Sequence, residues 1–141
     1  MPISHAVWTV SKSPQEIKQG VLPSEQMLED MIVARPKILS SEWMLVGRQV
    51  DTGYGGRIDL LAIAPDGSLV LVELKRDRTP REVVAQALDY AAWVEELDPD
   101  DVVGIYGRFR PGESLSADFR EWFGQPLDEE TINQTHQVVI V

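Results

Sequence analysis

Two apolar segments around a tight turn constrain the fold of this chain most. Residues 57–64 and 69–75 read as β-strands, and the Asp66-Gly67 pair between them reads as a hairpin turn. The run Leu-Val-Leu-Val in the second segment is apolar on both faces, which is typical of a central strand covered from both sides. The sequence therefore predicts a sheet that has packed layers on its two faces.

Charged residues interrupt these apolar strands. Asp59 lies at the start of the first strand, whereas Glu73 and Lys75 lie at the end of the second. Because strand side chains alternate between faces, Glu73 and Lys75 point the same way. Charges on apolar strands are costly unless they pair, bind a metal or line a wet cleft. The placement indicates a functional site, and a structural ion pair between Glu73 and Lys75 is the alternative.

The other elements predict an α/β domain with the order α-β-β-β-α-β. Ser24 is a suitable N-cap for a first helix, and Pro36 is expected to interrupt that helix. Thr79 and Glu82 form a capping box around Pro80, which marks the start of a second long helix. The expected helices cover residues 25–39, 79–97, 100–107 and 115–123, and the further strands cover residues 44–50 and 137–141.

Both long helices carry a polar residue near their packed side. At about 100° per residue, Leu28, Met31 and Ile32 form one apolar arc of the first helix, and Glu29 falls on its flank. Gln86 falls within the apolar arc of the second helix, where its amide requires a hydrogen-bonding partner. Each residue can serve a site or only the packing, and the sequence leaves both readings open.

Composition bounds the class of protein and the kind of metal site. The 141 residues fit one domain, 1–141, although a chain that closes on an apolar strand suggests a fragment of a longer protein. With no cysteine and only His5 and His136, we expect no zinc site, so a metal would be a hard cation on oxygen ligands. Neither a secretory signal nor a membrane span is visible, so we expect a cytoplasmic protein.

The net charge of −10 argues against simple binding to nucleic acid, yet the charge is unevenly distributed. Residues 1–94 carry a net charge of −2, and residues 95–141 carry −8. Near the two central strands the sign reverses. The residues expected to contact nucleic acid are Arg57, Arg76, Arg78 and Arg81. A solvated polar rim is the alternative for each arginine.

Two carboxylates and a lysine held on a sheet suit metal-assisted hydrolysis of a phosphodiester. Asp59 and Glu73 would share Mg²⁺, which lowers the pKa of a bound water and neutralises charge on a phosphoryl oxygen. Lys75 would orient the water or stabilise the transition state. Glu29 would hold a second metal or a metal-bound water, and Gln86 would orient that water or contact phosphate.

This combination resembles the PD-(D/E)XK nuclease superfamily. The resemblance extends from the helix with Glu29, through Gly-Arg-Ile-Asp59 and Glu-Leu-Lys75, to the helix with Gln86 and Tyr90. More narrowly, Gly-Arg-Ile-Asp-Leu-Leu-Ala-Ile and Val-Glu-Leu-Lys-Arg-Asp-Arg are similar to the nuclease domain of NucS-like endonucleases. One departure is an isoleucine directly before Asp59, where the superfamily name has proline.

The resemblance implies a restriction-endonuclease-like fold, a three-layer core in which helices flank a mixed central sheet. It implies that Asp59, Glu73 and Lys75 are the catalytic signature, and that Leu74 joins the two carboxylates at the metal site. It further implies Mg²⁺ or Mn²⁺ dependence and cleavage of DNA, with single-stranded, branched or mismatched forms as candidate substrates. A homodimer or an additional domain would supply DNA affinity. The alternative is a catalytically inactive nuclease-like module that binds DNA or a protein.

The catalytic hypothesis requires one particular register of the hairpin. A strict two-residue Asp66-Gly67 turn would pair residues whose numbers add to 133, which places Asp59 and Glu73 on opposite faces. A shared site requires an odd-length loop or a bulge that brings the total to 132. We predict the second register.

Overall fold

The elements of the fold come from a computed structural model that describes residues 4–53, 55–76 and 80–141. Within these residues the strands are β1 (Val7–Trp8), β2 (Glu16–Ile17), β3 (Met44–Asp51), β4 (Arg57–Ile63), β5 (Leu69–Glu73) and β6 (His136–Ile140). The α-helices are α1 (Glu25–Ala34), α2 (Pro80–Glu95), α3 (Pro99–Phe109) and α4 (Leu115–Phe123). Short 3₁₀ turns cover Pro36–Ile38 and Glu129–Thr131.

The main sheet is mixed and has the strand order β3-β4-β5-β6. Strands β3, β4 and β5 pair antiparallel, and β6 returns to pair parallel with β5. All five residues of β5 are buried, so the predicted central strand is confirmed. Strands β1 and β2 form a separate, exposed hairpin.

Apolar clusters cover both faces of the main sheet. On one face Ile32 of α1 joins a cluster with sheet residues such as Leu60 and Val72. On the other face α2, α3 and α4 contribute Val94, Ile105, Phe119 and others to a larger cluster. The sheet therefore lies between helical layers, which explains why its central strand is apolar on both faces.

The turn between β4 and β5 is longer than a two-residue hairpin. The N–H of Ala64 donates to the carbonyl of Ser68 at 2.9 Å, and the N–H of Gly67 donates back to the carbonyl of Ala64 at 3.0 Å. Three residues, 65–67, therefore form the loop. Gly67 has φ +87°, and a Cβ atom there would lie 2.6 Å from the carbonyl oxygen of Thr131, so this position requires glycine.

The odd-length loop produces the register that the catalytic hypothesis demands. From Leu60 with Val72 to Ile63 with Leu69, the residue numbers in every pair add to 132. The same register places Asp59 opposite Glu73 at the end of the ladder. The register prediction is confirmed.

Helix α1 departs from the prediction in length and in its buried face. Ser24 caps it as expected, but the helix ends at Ala34, and the chain continues into a 3₁₀ turn at Pro36. The buried residues of α1 are Glu29 and Ile32, whereas Met31 is 40% exposed. The predicted apolar arc was wrong at Met31, because the helix is rotated so that the Glu29 carboxylate faces inward onto polar partners from β3.

The later helices follow the sequence closely. Helix α3 begins with Pro99 after a capping box between Asp98 and Asp101, and Ser114 caps α4. The predicted N-cap of α2, Thr79, lies outside the described residues. Strand β5 ends two residues before Lys75, although the N–H of Lys75 still donates to the carbonyl of Val141 at 2.9 Å. No helix in the described part of the chain has the length and apolarity that a membrane span requires.

Candidate active site

Asp59 and Glu73 meet where β4 and β5 come together at one end of the sheet. The N–H of Leu74 donates to Asp59 Oδ2 at 2.8 Å, and the N–H of Asp59 is 3.4 Å from Glu73 Oε1. Glu73 is 1% exposed, and its Oε2 has no hydrogen-bond partner among the described residues. The predicted pair of carboxylates therefore exists, and the contact that Leu74 makes is with Asp59.

Lys75 is the third predicted member of this group. Its Nζ lies 3.7 Å from Glu73 Oε2, and its side chain is largely buried. The pKa of Glu73 is raised to about 7, first by burial and then by the charge of Asp59, while the charge of Lys75 acts in the opposite direction. The positive charge of Lys75 thus offsets only part of the cost of ionising Glu73 in a buried position beside Asp59.

The chemistry of this group fits a hard divalent cation. A buried carboxylate oxygen without a hydrogen bond lies beside a second carboxylate, and the donors are oxygens, which Mg²⁺ and Mn²⁺ prefer. In the described residues, no group of three or more Asp, Glu, His or Cys side chains converges as a metal site would require. Asp59 and Glu73 would therefore supply two protein ligands, which suits Mg²⁺ because it keeps several waters.

Glu29 reaches the pair only through another side chain. Its Oε1 accepts a hydrogen bond from Arg48 Nε at 2.6 Å, and its Oε2 accepts one from Gln49 Nε2 at 2.9 Å. Gln49 Nε2 also lies 3.4 Å from Asp59 Oδ1. Arg48 additionally binds Asp30, and this hydrogen bond lowers the pKa of the Asp30 carboxyl. Glu29 is thus buried, with 4% exposure, and is linked to Asp59 through Gln49. Its catalytic role stays a prediction.

Gln86 shares an open cleft with Lys75. The amide of Gln86 donates to the hydroxyl of Tyr90 at 2.7 Å, which supplies the partner that its position on α2 requires. A Cβ atom at Gly56 would lie 2.5 Å from the same hydroxyl, so glycine allows the loop before β4 to approach α2. The cleft has a volume of about 750 Å³, and its lining comprises Gly55, Gly56, Lys75, Glu82, Gln86, Asp89, Tyr90 and Ala92.

The predicted nucleic-acid contacts differ in how free their side chains are. Arg57 and Arg81 are exposed. Arg76 is tied to the start of α1 and to the segment before it, because its backbone N–H donates to Glu25 Oε1 and its guanidinium donates to the carbonyl of Pro23, each at 2.7 Å. Arg78 lies outside the described residues. Contact of these arginines with nucleic acid stays a prediction.

The sequence reading missed Arg48 and Gln49. A signal for them was present, because these two polar residues follow one another between the apolar residues Val46 and Val50 of strand β3. The same signal identified Glu73 and Lys75 on β5. The sequence did not indicate that both polar residues turn to one carboxylate, since consecutive residues of a strand normally face opposite ways.

Comparison with known protein families identifies the chain. The family described as the endonuclease NucS C-terminal domain matches residues 24–117, which is more than half of the chain. The chain belongs to the NucS C-terminal domain family. The matched NucS segment contains all five predicted catalytic residues, which are Glu29, Asp59, Glu73, Lys75 and Gln86.

Individual NucS relatives are distant and longer. The endonuclease NucS of Sulfolobus acidocaldarius is 26% identical over 98 residues, which cover 67% of this chain and 38% of that protein. A repair endonuclease from Pyrococcus abyssi matches 88% of this chain and 49% of its own, with 16% identity and a TM-score of 0.48. A chain of an EndoMS–dsDNA2 complex matches 65% of this chain and 50% of its own, with 18% identity and a TM-score of 0.48. The chain thus spans half or less of each.

Proposed function

We propose that this domain is a metal-dependent nuclease of the PD-(D/E)XK type that hydrolyses phosphodiester bonds in DNA, with Mg²⁺ or Mn²⁺ as its cofactor. Its mixed sheet between helical layers would then be a restriction-endonuclease-like core. Membership of the NucS C-terminal domain family supports a nuclease function. The observation that carries the proposal is the meeting of Asp59 and Glu73, with a buried carboxylate oxygen that lacks a hydrogen bond and lies 3.7 Å from the Lys75 ammonium.

Asp59 and Glu73 would hold the cation through their carboxylates. Asp59 accepts hydrogen bonds from the N–H of Leu74 and from Gln49, and its carboxylate oxygens keep further lone pairs that can bind a cation. The bound cation would neutralise charge on the phosphate and make a water more acidic. The proton on Glu73 must leave for the carboxylate to bind, because its pKa is raised to about 7.

Lys75 and Gln86 would act on the substrate side. The ammonium of Lys75 reaches the cleft and would stabilise negative charge that develops on the phosphate. Gln86 lines the same cleft, where its side chain would contact phosphate or hold the attacking water. Glu29 would support Asp59 through Gln49 rather than bind the cation, since its charge is already paired with Arg48 at 2.6 Å.

The alternative is a catalytically inactive module of the same family that binds DNA or a protein. One observation favours it, because two carboxylates, Glu82 and Asp89, line the cleft that would receive phosphate. With a net charge of −10, the domain offers few phosphate contacts of its own. In the nuclease reading, a further domain or a second copy would therefore supply much of the DNA affinity.

Cleavage assays on the 141-residue chain separate the two functions. The chain is incubated with duplex, mismatched, branched and single-stranded DNA in Mg²⁺, in Mn²⁺ and in EDTA. Glu73→Ala and Lys75→Ala are compared with Glu42→Ala and Lys12→Ala, two matched changes at exposed positions. We expect metal-dependent cleavage that both site variants lose and both control variants keep.

Two outcomes would contradict the proposal. Cleavage that survives in both site variants would remove Glu73 and Lys75 from the mechanism. Metal-independent binding of DNA without cleavage by the unmodified chain would favour the inactive module. A parallel set with single-stranded RNA tests the choice of DNA as substrate.

A further inference from the structure

Gln49 has an unusual backbone conformation for a residue in the middle of a strand. Its φ is +49°, in the left-handed region that side-chain-bearing residues rarely adopt. The ladder between β3 and β4 nonetheless continues on both sides of it, with Arg48 opposite Leu60 and Val50 opposite Ile58. Such strained positions persist only where the surroundings hold them, and they concentrate at functional sites.

The consequence of this conformation is visible in the side chains. Arg48 and Gln49 are consecutive, yet both donate to the carboxylate of Glu29, at 2.6 and 2.9 Å. A regular strand would direct them to opposite faces. The left-handed turn at Gln49 breaks the alternation and places its amide between two carboxylates from different elements.

The chemistry of the amide fixes its orientation. A carboxylate accepts hydrogen bonds only, so the NH₂ group of Gln49 must face Glu29 Oε2 and Asp59 Oδ1. Glu29 is buried and also held by Arg48, which makes it a firm anchor. On its other side, Asp59 receives the N–H of Leu74. The Asp59 carboxylate is therefore contacted at both of its oxygens.

We propose that Gln49 is a positioning residue for the metal-binding carboxylate of Asp59. This inference rests on the proposed nuclease function. The amide of Gln49 is hydrogen-bonded both to Glu29, which is held in place, and to Asp59. This link limits rotation of the Asp59 carboxylate away from Glu73. It does not bind substrate, and its effect is on how tightly the two carboxylates hold the cation.

Two substitutions separate this role from a purely structural one. Gln49→Met keeps the length of the side chain but removes both donors. Gln49→Gly relieves the left-handed backbone and also removes the donors. Gln137→Met, at an exposed position of β6, is the matched control. For each chain, Mn²⁺ affinity is measured by calorimetry, thermal melting is measured in EDTA, and cleavage is measured as a function of Mn²⁺ concentration.

We expect both Gln49 variants to bind Mn²⁺ about 10- to 100-fold more weakly, the range that outer-shell changes give at metal sites. The Mn²⁺ concentration for half-maximal cleavage should rise by the same factor, and the rate at saturating Mn²⁺ should largely recover. Gln49→Gly should melt within a few degrees of the unmodified chain, because the strain that it relieves offsets the added chain entropy. Gln137→Met should match the unmodified chain in every measurement.

Each other outcome overturns the inference. Mn²⁺ affinity within about twofold of the unmodified chain in both Gln49 variants refutes positioning while leaving the nuclease function intact. A loss of affinity only in step with loss of folding shows a structural role. If the unmodified chain binds no Mn²⁺ and cleaves no DNA, the proposed function fails, and the inference fails with it.

Discussion

Replacing Glu73 with glutamine should make the metal-free domain less sensitive to pH. Glu73 is 1% exposed, its Oε2 lacks a hydrogen bond, and burial together with the nearby Asp59 raises its pKa from 4.5 to about 7. A glutamine has nearly the same shape but carries no charge to bury. The variant therefore removes the one group at this site whose ionisation opposes folding in the absence of a cation.

The sign and size of the effect follow from proton linkage. Because the folded-state pKa lies above the unfolded value, the stabilising contribution of Glu73 is fully present below about pH 4.5 and is lost as the pH rises through 7. A shift of this size corresponds to about 3 kcal/mol over the whole range. Between pH 5 and pH 8, the free energy of unfolding of the unmodified chain should fall by about 2 kcal/mol relative to Glu73→Gln.

Urea unfolding in EDTA at several pH values measures this difference. Only the change with pH matters, so a constant offset caused by the new amide does not affect the test. Glu42→Gln, which alters an exposed carboxylate, serves as the control and should follow the unmodified chain. Parallel stability curves for Glu73→Gln and the unmodified chain would refute the argument that burial destabilises the charged form of Glu73.

Two further predictions concern packing and capping. Gly56→Ala should lower the free energy of unfolding by about 1–3 kcal/mol, since the new methyl group would overlap the Tyr90 hydroxyl. Gly107→Ala is the matched control, and both variants are measured by thermal melting. Because α3 has open space at Gly107, this change should stabilise the chain by about 0.5 kcal/mol. Equal changes in stability in the two variants would contradict the packing argument. Asn133 has φ +59°, and its side-chain amide donates to the carbonyls of Val94 and Leu97, at and just after the end of α2. Glycine tolerates the same backbone conformation but lacks the amide. Urea unfolding of Asn133→Gly should therefore show a free energy of unfolding lower by about 1 kcal/mol. An unchanged midpoint would show that the amide does not stabilise this helix end.

The sequence predicted the parts of the fold that depend on local patterns. The apolar run of β5 identifies a central strand, and Ser24 marks a helix start that the structure confirms. These signals act over a few residues, so they can be read without knowing what packs against them. The hairpin register was harder, because the Asp66-Gly67 pair favours a two-residue turn, and only the requirement for adjacent carboxylates indicated the longer loop.

The parts that were missed depend on contacts between distant elements. Met31 was expected in the core, but the pairing of Glu29 with Arg48 decides which face of α1 turns inward. The left-handed backbone of Gln49 has no local signature such as glycine or asparagine. Arg76 was assigned to nucleic acid from its charge, and its hydrogen bonds to the segment before α1 become visible only in three dimensions.

The carboxylate pair depends on the register that the three-residue loop sets between β4 and β5. If β5 paired with β4 one residue out of this register, as a two-residue turn at Asp66-Gly67 would require, Asp59 would turn to the face opposite Glu73. The position of this surface turn therefore decides whether the two carboxylates meet, although it lies at the other end of the two strands.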